Sequence, residues 1–302
     1  SRGLGDVYKR QSDDGDPVAS PRLMHQALEH SRDLDLPIIN HCQDIALSRG
    51  GVMNEGKIAS RLGLKGIPDA AEETMVARDL ALAELTGGRL HIAHVTTAGS
   101  VELIRRAKEK GVPVTAEVTP HHLTLTEERV TGYDTSAKVN PPLRTKKDIQ
   151  ALIQGLKEGV IDIVATDHAP HTEADKAVEF ALAPFGISGL ETALGSLMGL
   201  VHDGRLTLTA LIARLTREPS RIIKDEKLGK LDIGTQADVT IFDPDREWLV
   251  DTKTFASKGR NNPWAGSVLR GRVMATIAQG RLVYIDDSLK IKSKAGQKVN
   301  YG

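Results

Sequence analysis

The chain has one cysteine, Cys42, so it cannot form an internal disulfide, and that usage fits a reducing compartment, with the cytoplasm as the expected location. It also lacks any run approaching the roughly 20 apolar residues of a membrane span, or the apolar stretch of a signal peptide, so no membrane role is expected. Excess charge of one sign is missing too: Lys+Arg and Asp+Glu each total 40, and no basic stripe stands out. A nucleic-acid or anionic-surface partner is therefore not expected, whereas a small molecule is. At 302 residues the chain is long enough for one large α/β domain with an appendage.

What is present is an alternation of short apolar runs with longer amphipathic ones, the pattern of βα units in a parallel sheet or barrel. PIIN (37–40), RLHIAHV (89–95), VPVTAEV (112–118) and IDIVATD (161–167) have the continuous apolar character of strands covered on both faces. Helices are expected at 21–34, 69–85, 100–110 and 146–157, several closed by a glycine where the next strand begins. Two more follow, one running to about 200 and one at 206–216. From about 229 the pattern switches to period two, and KLDIG, ADVTIFD, EWLVD and VLRGRVMATIAQGRLVY read as short strands with Gly and Asp-Pro turns.

The polar residues gather where the apolar strands end. His41 follows PIIN, His94 lies late in RLHIAHV, Glu117 lies late in VPVTAEV with His121 and His122 just beyond, and Asp167 and His168 close IDIVATD, with His171 shortly after. In a parallel barrel such ends converge on one mouth. Imidazoles and carboxylates there are ligands that suit a zinc-like ion, which lowers the pKa of bound water to about 7. One histidine at a strand end is usually a structural residue; ligand-type residues at four strand ends together point to a metal site. Cys42 is expected on the opposite strand face as a small buried residue, while His25, His30 and His202 read as surface or packing residues. RRAKEK (105–110) reads as a solvated helix face.

NHCQD (40–44), EVTPHHL (117–123), KVNPPLR (138–144), ATDHAPH (165–171) and APFGISGLET (183–192) resemble the motifs of bacterial dihydroorotases, the class I branch of the amidohydrolase superfamily. The resemblance runs from Ser12 to about residue 285. It implies a (β/α)8 TIM barrel with a flanking β-sandwich. It also implies zinc-dependent, reversible hydrolysis of dihydroorotate to N-carbamoyl aspartate in pyrimidine biosynthesis, with two Zn2+ per complete site. Carried over by position, Asp14 in SDDG would bridge the metals, His41 and His94 would be imidazole ligands, and Asp167 would be both ligand and proton shuttle. Asn140, His171 and the backbone at Pro184, Phe185 and Gly186 would hold the substrate, under a loop at 172–183. Glu117, His121 and His122 receive no direct role; support of the zinc histidines is the expectation. Asn140 and an aspartate bridge argue against the related hydantoinases and allantoinases. A non-catalytic scaffold for aspartate carbamoyltransferase is a further alternative, disfavoured by the retained ligands. Aspartate carbamoyltransferase binding and homo-oligomer formation are the protein-partner expectations.

The family's barrel opens with a strand bearing H-x-H-x-R, and the first histidine here is His25. By strand order PIIN would be the fifth strand, so the chain is expected to lack roughly strands one to four, with the last of these reduced to 12–14. DVYKRQ (6–11) resembles the in-frame translation of a transposon end used for sequencing libraries, so residues 1–11 are expected to be an artefactual tail. Residues 12–228 would then be barrel and 229–302 part of the sandwich, with little or no activity in this fragment alone.

Overall fold

The computed structural model describes residues 11–12 and 15–289. Asp14, the rest of residues 1–10 and 13, and residues 290–302 lie outside that range. In chain order the main elements are β1 (Gln11–Ser12), α1 (Pro21–Leu34), β2 (Ile38–His41), α2 (Ala70–Thr86), β3 (Leu90–Ala93), α3 (Ala98–Glu109), β4 (Val114–Val118), α4 (Pro120–Thr124), α5 (Lys146–Glu158) and β5 (Ile163–Val164). They continue with α6 (Ala193–His202), α7 (Leu208–Leu215), β6 (Val239–Leu249), β7 (Val268–Ala278) and β8 (Arg281–Ile285).

β1 to β5 form one sheet in sequential order, each pair parallel, with helices returning the chain between most of them. This is the arrangement of a barrel wall. Its strands are apolar because both faces are covered: Leu90, Ile92, Ala116 and Val164 are buried. Local chemistry sets the helix ends. Ser20 caps α1 ahead of Pro21, Thr97 caps α3, and Thr145 forms a capping box with Asp148 on α5. Gly87 and Gly159, both left-handed, stop α2 and α5.

Two expectations change. The strand read at 161–167 is confined to β5, because the backbone leaves the sheet on its way to Asp167, whose φ is 45°. KLDIG forms no strand, and ADVTIFD and EWLVD are one strand, β6, passing through Asp243 and Pro244 instead of turning there. β6 is an edge of the three-stranded antiparallel sheet, and its register shifts between Asp243 and Glu247, so the missing proline N–H costs no ladder bond. That sheet leaves Ile241, Leu249, Val268 and Val283 exposed.

Candidate functional site

The ends of β2, β3, β4 and β5 place their polar residues at one mouth. His41 closes β2 opposite Ala93, and His94 is the next residue on the neighbouring strand. The two imidazoles stand edge to face with centroids 5.0 Å apart. His94 Nε2 lies 3.6 Å from Asp167 Oδ1, and its Nδ1 lies 2.8 Å from Glu117 Oε1. The other Glu117 oxygen is 3.1 Å from His91 Nε2, and His91 Nδ1 is 2.8 Å from Thr115 Oγ1. Burial alone would push the Glu117 carboxyl up, but the two imidazoles outweigh it and hold the group well below the usual carboxylate range. Burial likewise works against charge on His94, yet Glu117, and then Asp167, leave its pKa raised.

His94 and Asp167 both occupy the left-handed region, with φ of 50° and 45°. Each such non-glycine residue costs on the order of 1–3 kcal/mol and persists only where its surroundings hold it. At His94 the holding group is buried Glu72, which accepts the backbone N–H of Thr96 (2.9 Å) and Thr97 (3.1 Å), and the Thr96 hydroxyl.

His41, His94, Asn140 and Asp167 line one cavity of about 290 Å³. Asn140 Oδ1 is buried there without a hydrogen-bond partner among the described residues. The turn that presents it is held from beneath. His122 Nε2 donates to the Pro141 carbonyl (2.9 Å), and its Nδ1 faces the Thr119 hydroxyl (2.8 Å). Burial pushes His122 down to about 3, so the ring is neutral and its single N–H goes to Pro141.

His171 and residues 184–186 do not line that cavity. They form an adjoining cluster in which His171 Nε2 donates to the Phe185 carbonyl at 2.7 Å, and the Gly186 N–H donates to the Lys138 carbonyl at 2.9 Å. Lys176 Nζ donates to the Pro184 carbonyl (2.7 Å), and Lys138 Nζ to those of Phe180 and Ala181 (2.7 and 3.0 Å). Two buried lysines thus tie down the loop expected to cover the substrate.

Cys42 is buried as expected, and burial, followed by nearby Asp79, pushes its thiol up, but it lines the same cavity as His41 instead of an opposite face. In the RRAKEK run Lys108 is partly buried, bonded to Asp162 and the Gly159 carbonyl, so that face is less solvated than its composition suggests. Sequence reasoning passed over Asn261, which bonds both the His171 and Gly186 segments.

By residue type the cluster suits a metal, two imidazoles and a carboxylate facing one cavity. Among the described residues no three His, Cys, Asp or Glu side chains are grouped closely enough to hold a metal ion. The set is therefore partial, and Asp14, the further ligand implied by resemblance, lies outside the described residues. No helix among the described residues is long and apolar enough to cross a membrane.

Residues 9–283 match the amidohydrolase family. The chain is 52% identical to a dihydroorotase of Syntrophus aciditrophicus over 91% of its length and 65% of that protein. It is 56% identical to a dihydroorotase of Pelotomaculum thermopropionicum over 91% of its length and 64% of that protein. It therefore spans a little under two-thirds of these curated relatives. Among solved structures it resembles L-hydantoinase (dihydropyrimidinase) from Arthrobacter aurescens, with TM-score 0.80 and 27% identity over 91% of this chain and 63% of that one. D-hydantoinase from Thermus sp. shares the fold, with TM-score 0.78 and 24% identity over 87% of this chain and 60% of that one. A parallel barrel wall with its polar residues at the strand ends, a family match over most of the sequence, and relatives more than half identical across nine-tenths of it lead to one conclusion: the chain belongs to the amidohydrolase family.

Proposed function

We propose that this chain carries the reacting face of a dihydroorotase, which reversibly hydrolyses dihydroorotate to N-carbamoyl aspartate in pyrimidine synthesis. The observation that carries the reading is the meeting of His41, His94, Asp167 and Asn140 around one cavity, in a chain more than half identical to proteins named dihydroorotase. His41, His94 and Asp167, together with Asp14, would hold the metal, and a bound divalent ion would supply Lewis acidity and a nucleophilic water near neutral pH. Glu117 Oε1 stands 2.8 Å from His94 Nδ1 as an ion-pair contact, and the ring's Nε2 is turned toward Asp167. Asp167 takes a proton from the attacking water. The water oxygen bonds to the ring carbonyl carbon, the C–N bond breaks, and Asp167 returns the proton to the leaving nitrogen. Asn140 meets a polar group of the substrate through its open Oδ1, which therefore requires a donor such as a ring N–H. The likeness to hydantoinases makes five-membered cyclic amides the competing substrates.

The test is to purify the longest form the gene encodes and to follow ring opening of dihydroorotate and of hydantoin side by side. Preference for dihydroorotate, abolished by Asp167→Asn, is expected. Opening of hydantoin alone would replace the reading, and binding of aspartate carbamoyltransferase without turnover would favour a scaffold.

A further inference from the structure

Asn261 belongs to the segment leading toward β7, away from the strand ends, and is 3% exposed. Its Oδ1 accepts the backbone N–H of His171 at 2.9 Å. Its Nδ2 donates to the carbonyls of Ala169 (3.0 Å) and Gly186 (2.9 Å). Its own carbonyl accepts the Ser188 N–H at 2.9 Å. The amide orientation is fixed by this pattern, because a flipped amide would set N–H against N–H and oxygen against two carbonyls.

The two segments so joined are packed as closely as backbone allows. His168 bridges to Ile187 in parallel, and the Ala169 N–H donates to the Ile187 carbonyl at 2.9 Å. Gly186 has φ +139°, and a Cβ there would sit 2.8 Å from His171 Nε2 and 2.7 Å from the Ala169 Cβ. A Cβ on Gly259 would come within 2.4 Å of Pro170, so glycine is also what lets the Asn261 segment approach.

We propose that Asn261 is a positioning residue for substrate recognition: one buried side-chain amide sets the spacing between His171 and the turn at Phe185 and Gly186, so that both meet one ring-sized substrate. That His171 and the 185–186 turn meet a substrate, and which substrate it is, both rest on the dihydroorotase reading, whereas the clamp itself rests on the bonds of Asn261. Asn262 supplies a matched control. It is 2% exposed, and its amide donates to the Ser188 carbonyl and Thr192 Oγ1 (both 2.9 Å) and accepts the Trp264 N–H (2.9 Å), yet it touches neither His171 nor the 185–186 turn.

Asn261→Asp, Asn261→Ala and Asn262→Ala are compared in the longest form the gene encodes. The aspartate variant keeps the acceptor for His171 and sets an oxygen against the Ala169 and Gly186 carbonyls. The expected result is a KM for dihydroorotate raised about tenfold or more in both Asn261 variants, with kcat within about threefold; Asn262→Ala loses comparable thermal stability with KM within about twofold. Hydrogen exchange is read in parallel and needs no substrate: faster exchange at residues 169–171 and 185–188 is expected in Asn261→Ala. Equal KM in all variants, or a fall in kcat with KM unchanged, overturns the positioning role. Failure of the unsubstituted protein to open dihydroorotate removes the substrate assignment, and unchanged exchange at His171 in Asn261→Ala then overturns the clamp by itself.

Discussion

Two pairs of buried histidines lie close together in the barrel wall and behave oppositely. His91 and His94 on and just after β3 share Glu117. The rings of His121 and His122 on α4 are tilted against each other with centroids 4.6 Å apart, and His122 is bonded to the Thr119 hydroxyl and the Pro141 carbonyl. Burial is nearly the same, His94 being 8% exposed and the other three 1%. Burial therefore does not decide what such a ring does. The partner decides: a carboxylate leaves His94 raised against the pull of burial, whereas burial unopposed by any carboxylate pushes His122 down to about 3 and His121 well below its ordinary value. Within the first pair His94 faces the cavity and His91 braces Glu117 from behind, whereas in the second His122 is a neutral support under the Asn140 turn.

The largest break in this comparison comes from Glu117→Gln, which removes the charge shared by the first pair. Metal affinity should fall about 10- to 100-fold, read by competition with a chelating dye. Next is His122→Leu, which strands the Pro141 carbonyl and Thr119 hydroxyl. A loss of about 1–3 kcal/mol in urea unfolding is expected, together with a raised KM through Asn140. The pH dependence is the third. His122 has a folded pKa near 3 against about 6.5 when unfolded. Above that window both states are neutral and nothing is lost. As pH falls from about 6.5 toward about 3 only the unfolded state takes the proton, so stability drains across the window, and His122→Leu should flatten this slope. The smallest effect is expected at His121, whose Nε2 is buried without a partner among the described residues. His121→Leu should change stability by no more than about 1 kcal/mol, toward greater stability, with metal retention intact.

How far the sequence carried the account follows from which facts are local. The strands and helices around His41, His94 and Asp167 were readable because βα periodicity and strand-end position are local signals. Glu117 was readable as a carboxylate near a strand end, but its meeting with two imidazoles depends on β3 and β4 being neighbours, which periodicity does not encode. The strand expected at 161–167 is shorter in the structure because its apolar run continues past the paired residues of β5 into the turn at Asp167, and an apolar run alone does not mark where pairing stops. β6 was cut at Pro244 because an edge strand tolerates a proline that an interior strand does not. Asn261 gave only the signal of an asparagine in a Gly- and Pro-rich loop, where the default is a local turn bond. Its bonds instead reach residues some 75 to 92 positions away, which no local pattern reveals.

The most direct test of the account is zinc titration by calorimetry on the longest encoded form, comparing His94→Ala and Asp167→Ala with His121→Leu and His122→Leu. The account predicts that the first two lose metal binding while the last two bind as the unsubstituted protein does. Retained binding in His94→Ala and Asp167→Ala, or an equal loss in all four, would contradict it.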